Sequence, residues 1–225
     1  MNQGKLFVVA TPIGNLKDVT LRALETLQSV DFILCEDTRV TKKLLNHYQI
    51  NKPTISYHQH SPDSKTKEII KLLEDGKNLA LVTDAGTPGI SDPGNLLIQN
   101  LTKNLETIEI IPIPGSCAAI AALSVSGFPT DRFYFAGFPP HKNKRKKFFK
   151  ELAAREETIV FYESTHRILK TLLELQMFAP QRKIMVAREL TKQFETIYRG
   201  IAEEILEKIK KGPIKGEFVI VMVPI

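Results

Sequence analysis

The sequence predicts an α/β protein built of two α/β domains, with a mainly parallel first sheet and a mixed second one. Three observations predict it. Short apolar runs alternate with segments whose apolar residues recur at helical spacing, as in strands buried on both faces and joined by crossover helices. The run Pro112-Ile113-Pro114-Gly115 breaks that alternation and is the expected hinge, dividing the chain into 1–115 and 116–225. In the second half, Thr196-Ile197-Tyr198 alternates as an antiparallel strand does.

The elements follow in order. Leu6 to Ala10 reads as a buried strand ended by Thr11-Pro12. Leu21, Leu24, Leu27 and Val30 mark a helix, with Asp18 or Thr20 as its N-cap. Phe32 to Cys35 is a second strand. A helix through Ile69, Leu72 and Leu73 stops at Gly76, and Leu79 to Thr83 is a third strand. A helix through Leu96, Leu97 and Leu101 leads to a strand at 108–111. After the hinge come an alanine-rich helix at 117–126 and strands at 133–138, 159–162, 184–187 and 218–223. Helices at 168–175 and 201–209 separate some of these strands.

Composition narrows the function classes. At 225 residues with 43% apolar content, the chain can bury a sizeable core. Cys35 and Cys117 form no spaced pair, so neither a zinc site nor a disulfide framework is expected. No apolar stretch approaches the ~20 residues a membrane span needs, and no signal peptide is recognisable. A cytoplasmic location is expected. The formal net charge is +6, which favours a polyanionic partner. Lys142, Lys144, Arg145, Lys146, Lys147 and Lys150 crowd into nine positions without an acid, a density that suits phosphate contacts.

In open α/β sheets, ligands sit at the carboxyl ends of strands. Four loops stand there: Thr11 to Asn15, Glu36 to Arg39, Asp84 to Gly94, and Pro112 to Ser116. Any one of them reads first as a Pro-Gly turn. Four at one edge point to a ligand site, where glycine admits close backbone approach and Asp84 can anchor a cationic or hydroxyl-bearing group. There is no G-x-G-x-x-G, no P-loop and no nucleophile elbow. His58-Gln59-His60 with Asp63 is too sparse for a metal site, and none is expected. In the second half, Phe161 to Arg167 and Arg188 to Lys192 follow strands. There Tyr162 either walls an adenine pocket or packs in the core, and Arg167 can pair with phosphate.

Three segments carry a resemblance: Val9 to Leu16, Cys35-Glu36-Asp37-Thr38-Arg39, and Asp84-Ala85-Gly86-Thr87-Pro88-Gly89-Ile90-Ser91-Asp92-Pro93-Gly94. Thr130 to Phe133, Phe161 to Arg167, Ala187 to Lys192 and Lys215 to Glu217 extend it over essentially the whole chain. The sequence resembles the bacterial 16S ribosomal RNA (cytidine 2′-O)-methyltransferases of the tetrapyrrole methylase-like superfamily, a class III methyltransferase architecture. The resemblance implies S-adenosylmethionine bound in a cleft between two α/β domains. It implies 2′-O-methylation of a cytidine in the decoding region of 16S rRNA in the 30S subunit, by a homodimer. Carried over by motif, the cofactor site comprises Pro12, Asp84, Ala85, Gly86, Thr87, Ser116, Cys117, Tyr162, Ala187 and Gly216. Ser116 stands where the family commonly has proline, and Pro139 and His141 depart from its Gly-Phe-x-Pro-x-Lys stretch. Many relatives continue past the position of Ile225 with a small helical segment.

The ribose 2′-hydroxyl is a poor nucleophile at neutral pH, so a general base is expected. Asp37, Glu163 and Glu189 are the candidates, each following a strand. Arg39, Arg167, Arg188 and Lys192 are expected to hold phosphates or a developing oxyanion, alongside the basic run. Each acid has an equal alternative as the structural partner of a nearby arginine. Two other functions stay open: a methyltransferase acting on a corrinoid precursor, and a non-catalytic ribosome-associated RNA-binding protein.

Overall fold

Five short strands, β1 (Leu6–Val9), β2 (Phe32–Cys35), β3 (Thr54–Ser56), β4 (Leu79–Leu81) and β5 (Ile110–Ile113), all run in one direction. They form a parallel sheet of order β3-β2-β4-β1-β5. The computed structural model describes residues 3–225, and its chain divides into two compact units between Cys117 and Ala118.

Alternation along each strand sends successive side chains to opposite faces. Val9, Ile33, Cys35 and Ala80 pack with Ala23 and Leu27 of α1 (Leu21–Ser29) and Leu45 of α2 (Thr38–His47). Leu6, Leu34, Leu79 and Leu81 pack with Ile69 and Leu73 of α3 (Asp63–Glu74) and Leu97 and Leu101 of α4 (Asn95–Asn104). Thr20, rather than Asp18, caps α1: its hydroxyl accepts from the Ala23 N–H at 3.1 Å. The face assignment fixes the winding. The connections through α1 and α2 step toward the β3 edge on one face, and those through α3 and α4 return toward β5 on the other. Neighbouring strands β2 and β4 therefore send their chains off in opposite directions. That divergence opens a crevice at their carboxyl ends.

The second unit holds β6 (Phe133–Phe135), β7 (Thr158–Glu163), β8 (Ile184–Arg188), β9 (Thr196–Gly200) and β10 (Phe218–Met222), in the order β6-β7-β10-β8-β9. β6 and β7 pair in parallel, whereas β7, β10, β8 and β9 form an antiparallel run. Its core joins Phe161, Val186 and Ile220 to α6 (Arg145–Ala153), α7 (Ile168–Phe178) and α8 (Ala202–Lys210). The short α5 (Ala118–Ser124) packs on β7 and β10. One sheet is thus wholly parallel and the other mixed.

The expected hinge is not one throughout. Pro112 and Ile113 belong to β5, which among the described residues pairs only with β1. Proline is tolerated on such an edge because its missing N–H leaves no ladder bond unmade. Three elements were not expected from the sequence: α2, β3 and α6. No helix among the described residues is long and apolar enough to cross a membrane.

Candidate functional site

In the first unit, three strand-end loops are laced together. Thr11 and Gly86 exchange backbone hydrogen bonds, with Thr11 N to Gly86 O at 2.9 Å and Gly86 N to Thr11 O at 3.0 Å. The Thr11 hydroxyl donates to Thr83 O at 3.1 Å. Thr87 Oγ1 donates to Ser116 O at 3.0 Å, and Ser116 Oγ donates to Asp18 O at 3.2 Å. The serine that replaces the expected proline thus adds a tie between loops that proline has no hydroxyl to make. Gly86 has φ +90°, and a Cβ there would meet Ile13 Cγ2 at 3.4 Å. Pro12 and Gly86 are buried, whereas Asp84 and Ala85 are exposed at the start of their loop.

Beside these loops lies an open cavity of about 450 Å³ lined by Glu36, Asp37, Thr38, Arg39, Ser56, His58, Gln59, His60 and Asp84. These residues follow β2, β3 and β4, so the cavity sits at the crevice where the winding diverges. Its three acids are held differently. Asp37 caps α2: Oδ1 accepts the Arg39 N–H at 2.8 Å, and the Arg39 guanidinium grips both carboxylate oxygens, the shortest contact 2.6 Å. Those hydrogen bonds hold the Asp37 carboxyl down at about 2. Asp84 accepts from the Asp37 N–H at 3.1 Å, yet burial and the Asp37 charge leave its pKa raised. Glu36 accepts only a long bond, 3.4 Å, from the Thr83 hydroxyl. Burial, then the charge of Asp84, raises its pKa against the opposing effect of Thr83. His60 N donates to His58 Nδ1 at 3.2 Å, so a neutral His58 carries its proton on Nε2.

The structure therefore redistributes the expected roles. Among the expected bases, Asp37 faces the cavity but is ion-paired and acidic. Glu163 is a correction: its side chain is 0% exposed and saturated. Thr171 Oγ1 donates to it at 2.5 Å, the Ser164 N–H at 2.7 Å, and Arg167 lies at 2.8 Å. Its place is structural. Glu189 is the second correction. It sits at φ 53° and accepts from the Glu217 N–H and Lys192 Nζ, each at 2.9 Å. Burial alone would raise its pKa, but those two partners outweigh it and lower it. Glu189 fastens the turn at Gly216, whose backbone has φ +111° and where a Cβ would meet Glu189 Cγ at 2.4 Å.

The expected cations divide likewise. Lys142, Lys144, Lys146, Lys147 and Lys150 are exposed. Arg145, in their midst, is another correction, being 3% exposed. It pairs with Glu174 at 2.7 Å and donates to Thr171 at 2.6 Å and Pro140 O at 3.0 Å. A guanidinium so enclosed cannot meet phosphate. Arg167 donates to Pro139 O at 2.8 Å, and Arg188 to Lys215 O at 2.6 Å. Lys192 bridges Glu189 and Glu217, and Arg39 stays on the surface with Asp37.

Of the residues expected at the cofactor, Ala187 is 0% exposed within β8, which is paired on both sides, so it offers no surface. Tyr162 lies among Phe135 and Phe138, and its hydroxyl accepts from the Ala119 N–H at 3.2 Å. Ser116 and Cys117 are half-buried. Sequence reasoning missed Glu36 and the approach of His58 and His60 to it. The one signal was the position of Glu36 directly after β2, because β3, which the histidines follow, was not expected from the sequence. Among the described residues, no three His, Cys, Asp or Glu side chains cluster closely enough to hold a metal ion.

Residues 5–206 match the family model of the tetrapyrrole (corrin/porphyrin) methylases. A Synechocystis protein named ribosomal RNA small subunit methyltransferase I is 52% identical over 97% of this chain and 78% of its own. The protein of the same name from Thermotoga maritima is 43% identical over 97% and 98%. Among solved structures, a cobalt precorrin-4 methyltransferase aligns over 97% of this chain and 94% of its own, with TM-score 0.73 at 18% identity. The Thermus thermophilus uroporphyrin-III C-methyltransferase complexed with S-adenyl homocysteine aligns over 98% and 97%, with TM-score 0.67 at 15% identity. At such identities the two structures establish a shared fold.

Proposed function

We propose, from the premise that this chain belongs to the tetrapyrrole methylase family and groups there with the proteins named ribosomal RNA small subunit methyltransferase I, that it methylates small-subunit rRNA from S-adenosylmethionine. The finer reading is transfer to the 2′-hydroxyl of a cytidine in the decoding region of 16S rRNA, by a homodimer acting on the 30S subunit in the cytoplasm. The observation that carries the proposal is near-full-length identity of 52% to a protein of that name. The exposed lysines of residues 142–150 support a polyanionic substrate, because neutralising phosphates releases counterions.

The residues present fit the cofactor. Asp84 supplies an exposed carboxylate for a hydroxyl or ammonium group, and the laced loops around Pro12, Gly86 and Thr87 hold backbone polar groups in fixed positions. S-adenosylmethionine, when bound, supplies an electrophilic methyl group on a sulfonium. Because the donor is already activated, what remains for the protein is to align the acceptor and take its proton. The structural likeness to uroporphyrin and precorrin methyltransferases reflects the fold, and the lysine surface has no use in methylating a small tetrapyrrole.

The test is methyl transfer from labelled S-adenosylmethionine to unmodified 30S subunits, followed by mass mapping of the product. A single 2′-O-methylated cytidine in 16S rRNA is expected. Transfer to a corrinoid precursor with none to 30S subunits, or no affinity for S-adenosylmethionine, overturns the proposal.

A further inference from the structure

The cavity beyond the cofactor loops is where the acceptor belongs. The winding of the first sheet makes the β2/β4 crevice its topological switch point, the place where doubly wound folds take ligands. Glu36 follows β2 and Asp84 follows β4, so the two carboxylates stand astride that crevice, with Ser56 at the end of β3 and His58 just beyond it also lining the cavity. The cavity volume, about 450 Å³, lies within the ordinary range for small-ligand sites of roughly 300–1,000 Å³. Asp84 lines the cavity and also begins the loop that lies against Thr11 and Ser116, so the two sites are contiguous. The lining mixes carboxylates, imidazoles, two hydroxyls, an amide and the Arg39 guanidinium, which Asp37 already engages. Such a set recognises hydroxyl groups, as an acid placed on a ribose does, rather than a phosphate.

We infer that this cavity receives the ribose of the target nucleotide and that Glu36 is the base that takes the proton from its acceptor hydroxyl. The inference rests on the proposed methylation of rRNA and names its acceptor subsite. In the transfer, a lone pair of the ribose oxygen forms the new O–C bond while the methyl–sulfur bond breaks and its electrons stay on sulfur, which becomes a neutral thioether. The hydroxyl proton passes to Glu36 and then to water.

The neighbours of Glu36 select it over the other acids. Asp37 spends its oxygens on Arg39 and on the first turn of α2. Asp84 accepts the Asp37 N–H and is the carboxylate assigned to the cofactor. Glu36 has one weak contact, and its surroundings move it toward the range where a base is most effective at neutral pH. The charged and titratable groups around it are Asp84 after β4, Asp37 and Arg39 at the start of α2, and His58 and His60 after β3. Arg39, on the rim with 87% of its side chain exposed, is positioned to meet the phosphate beside the ribose.

The full-length Glu36→Gln variant tests this on unmodified 30S subunits, with Glu36→Asp alongside. Loss of a general base costs about 10²–10⁴-fold in turnover. Glu36→Gln should lose that much kcat and the acidic limb of the kcat–pH profile. Its affinity for S-adenosylmethionine by calorimetry and for 30S subunits by filter binding should stay within about twofold. Glu36→Asp should recover part of the rate and regain the limb. Folding is not expected to suffer: a carboxyl whose pKa is raised on folding loses stability as pH rises through that value, so removing its charge should raise the thermal midpoint at pH 7. Wild-type kcat in Glu36→Gln, an unchanged pH profile, or a parallel fall in cofactor affinity overturns the assignment. If the wild-type chain methylates no 30S subunit, the proposed function fails first, and the inference with it.

Discussion

Replacing Arg145 with alanine separates the structural cation from the lysines that surround it. Its guanidinium pairs with Glu174 at 2.7 Å and Glu163 at 3.5 Å, and donates to Thr171 and Pro140. Its side chain is 3% exposed, and those of Glu163 and Glu174 are 0% and 13%. Breaking a buried pair by removing one partner costs about 3–5 kcal/mol, because the other charge is left in the interior. Two features place this case near the lower end. Arg167 remains 2.8 Å from Glu163, and Glu174 can turn toward water. About 3 kcal/mol corresponds to roughly 10–15 °C in the midpoint for a unit of this size. The assay is thermal unfolding followed by near-ultraviolet dichroism, with Arg145→Lys alongside. Lysine keeps the charge but not the planar fork, so it should recover part of the loss. A midpoint within about 3 °C of wild type, or a fall in the salt dependence of rRNA binding without loss of stability, would refute the reasoning.

The exposed lysines should behave in the opposite way. Changing Lys142, Lys144, Lys146 and Lys147 together to alanine should leave the thermal midpoint within a few degrees. It should also flatten the dependence of log K on log salt for rRNA by up to about 3, at roughly 0.7 per single-strand phosphate contact; an unchanged slope would count against the lysine surface. Gly86→Ala forces a side chain onto a backbone at φ +90° and against Ile13, so S-adenosylmethionine affinity measured by calorimetry should fall several-fold. Affinity equal to wild type would exclude the loop from the cofactor site. Glu189 has a lowered pKa, so its stabilising contribution is present above the ordinary glutamate value and is lost as pH falls through the folded one. Glu189→Gln should therefore destabilise the protein at pH 7, with the difference from wild type shrinking in acid; equal melting curves at pH 7 would refute its role as a fastener.

The regular elements were legible where burial speaks through periodicity. Phe32 to Cys35 reads as a strand because all four side chains are apolar, and Leu21, Leu24 and Leu27 space out a helix with a threonine cap. The elements that escaped notice lack such a stripe. In α2 the sequence Thr-Arg-Val-Thr-Lys-Lys-Leu-Leu-Asn-His offers few apolar positions and is stabilised by the Asp37 cap. In α6 a run of cations hides a helix whose buried positions are Arg145, Phe149 and Leu152. Spacing of 4 and 3 is present there, but its first member is an arginine, which a sequence reading assigns to solvent. Burial of that arginine is intelligible only once Glu163 and Glu174 are seen to converge on it from β7 and α7.

The same limit explains why the acids at the strand ends could not be ranked from the chain. Asp37, Glu163 and Glu189 all follow strands and all have arginine or lysine within a few residues, so local sequence treats them alike. What distinguishes them is how many donors each carboxylate satisfies, and those donors come from elsewhere in the fold. Thr171 and Arg145 reach Glu163 from two helices, and Glu217 reaches Glu189 from the segment just before β10. Donors that saturate the Glu163 oxygens leave none free to meet a substrate, and those on Glu189 lower its pKa. Glu36 differs because β4 sets a second acid beside it while supplying only the distant Thr83 hydroxyl as a donor. Strand order, which follows from crossover winding rather than from any residue at the site, is thus what turns one of four similar glutamates and aspartates into the acid suited to proton transfer.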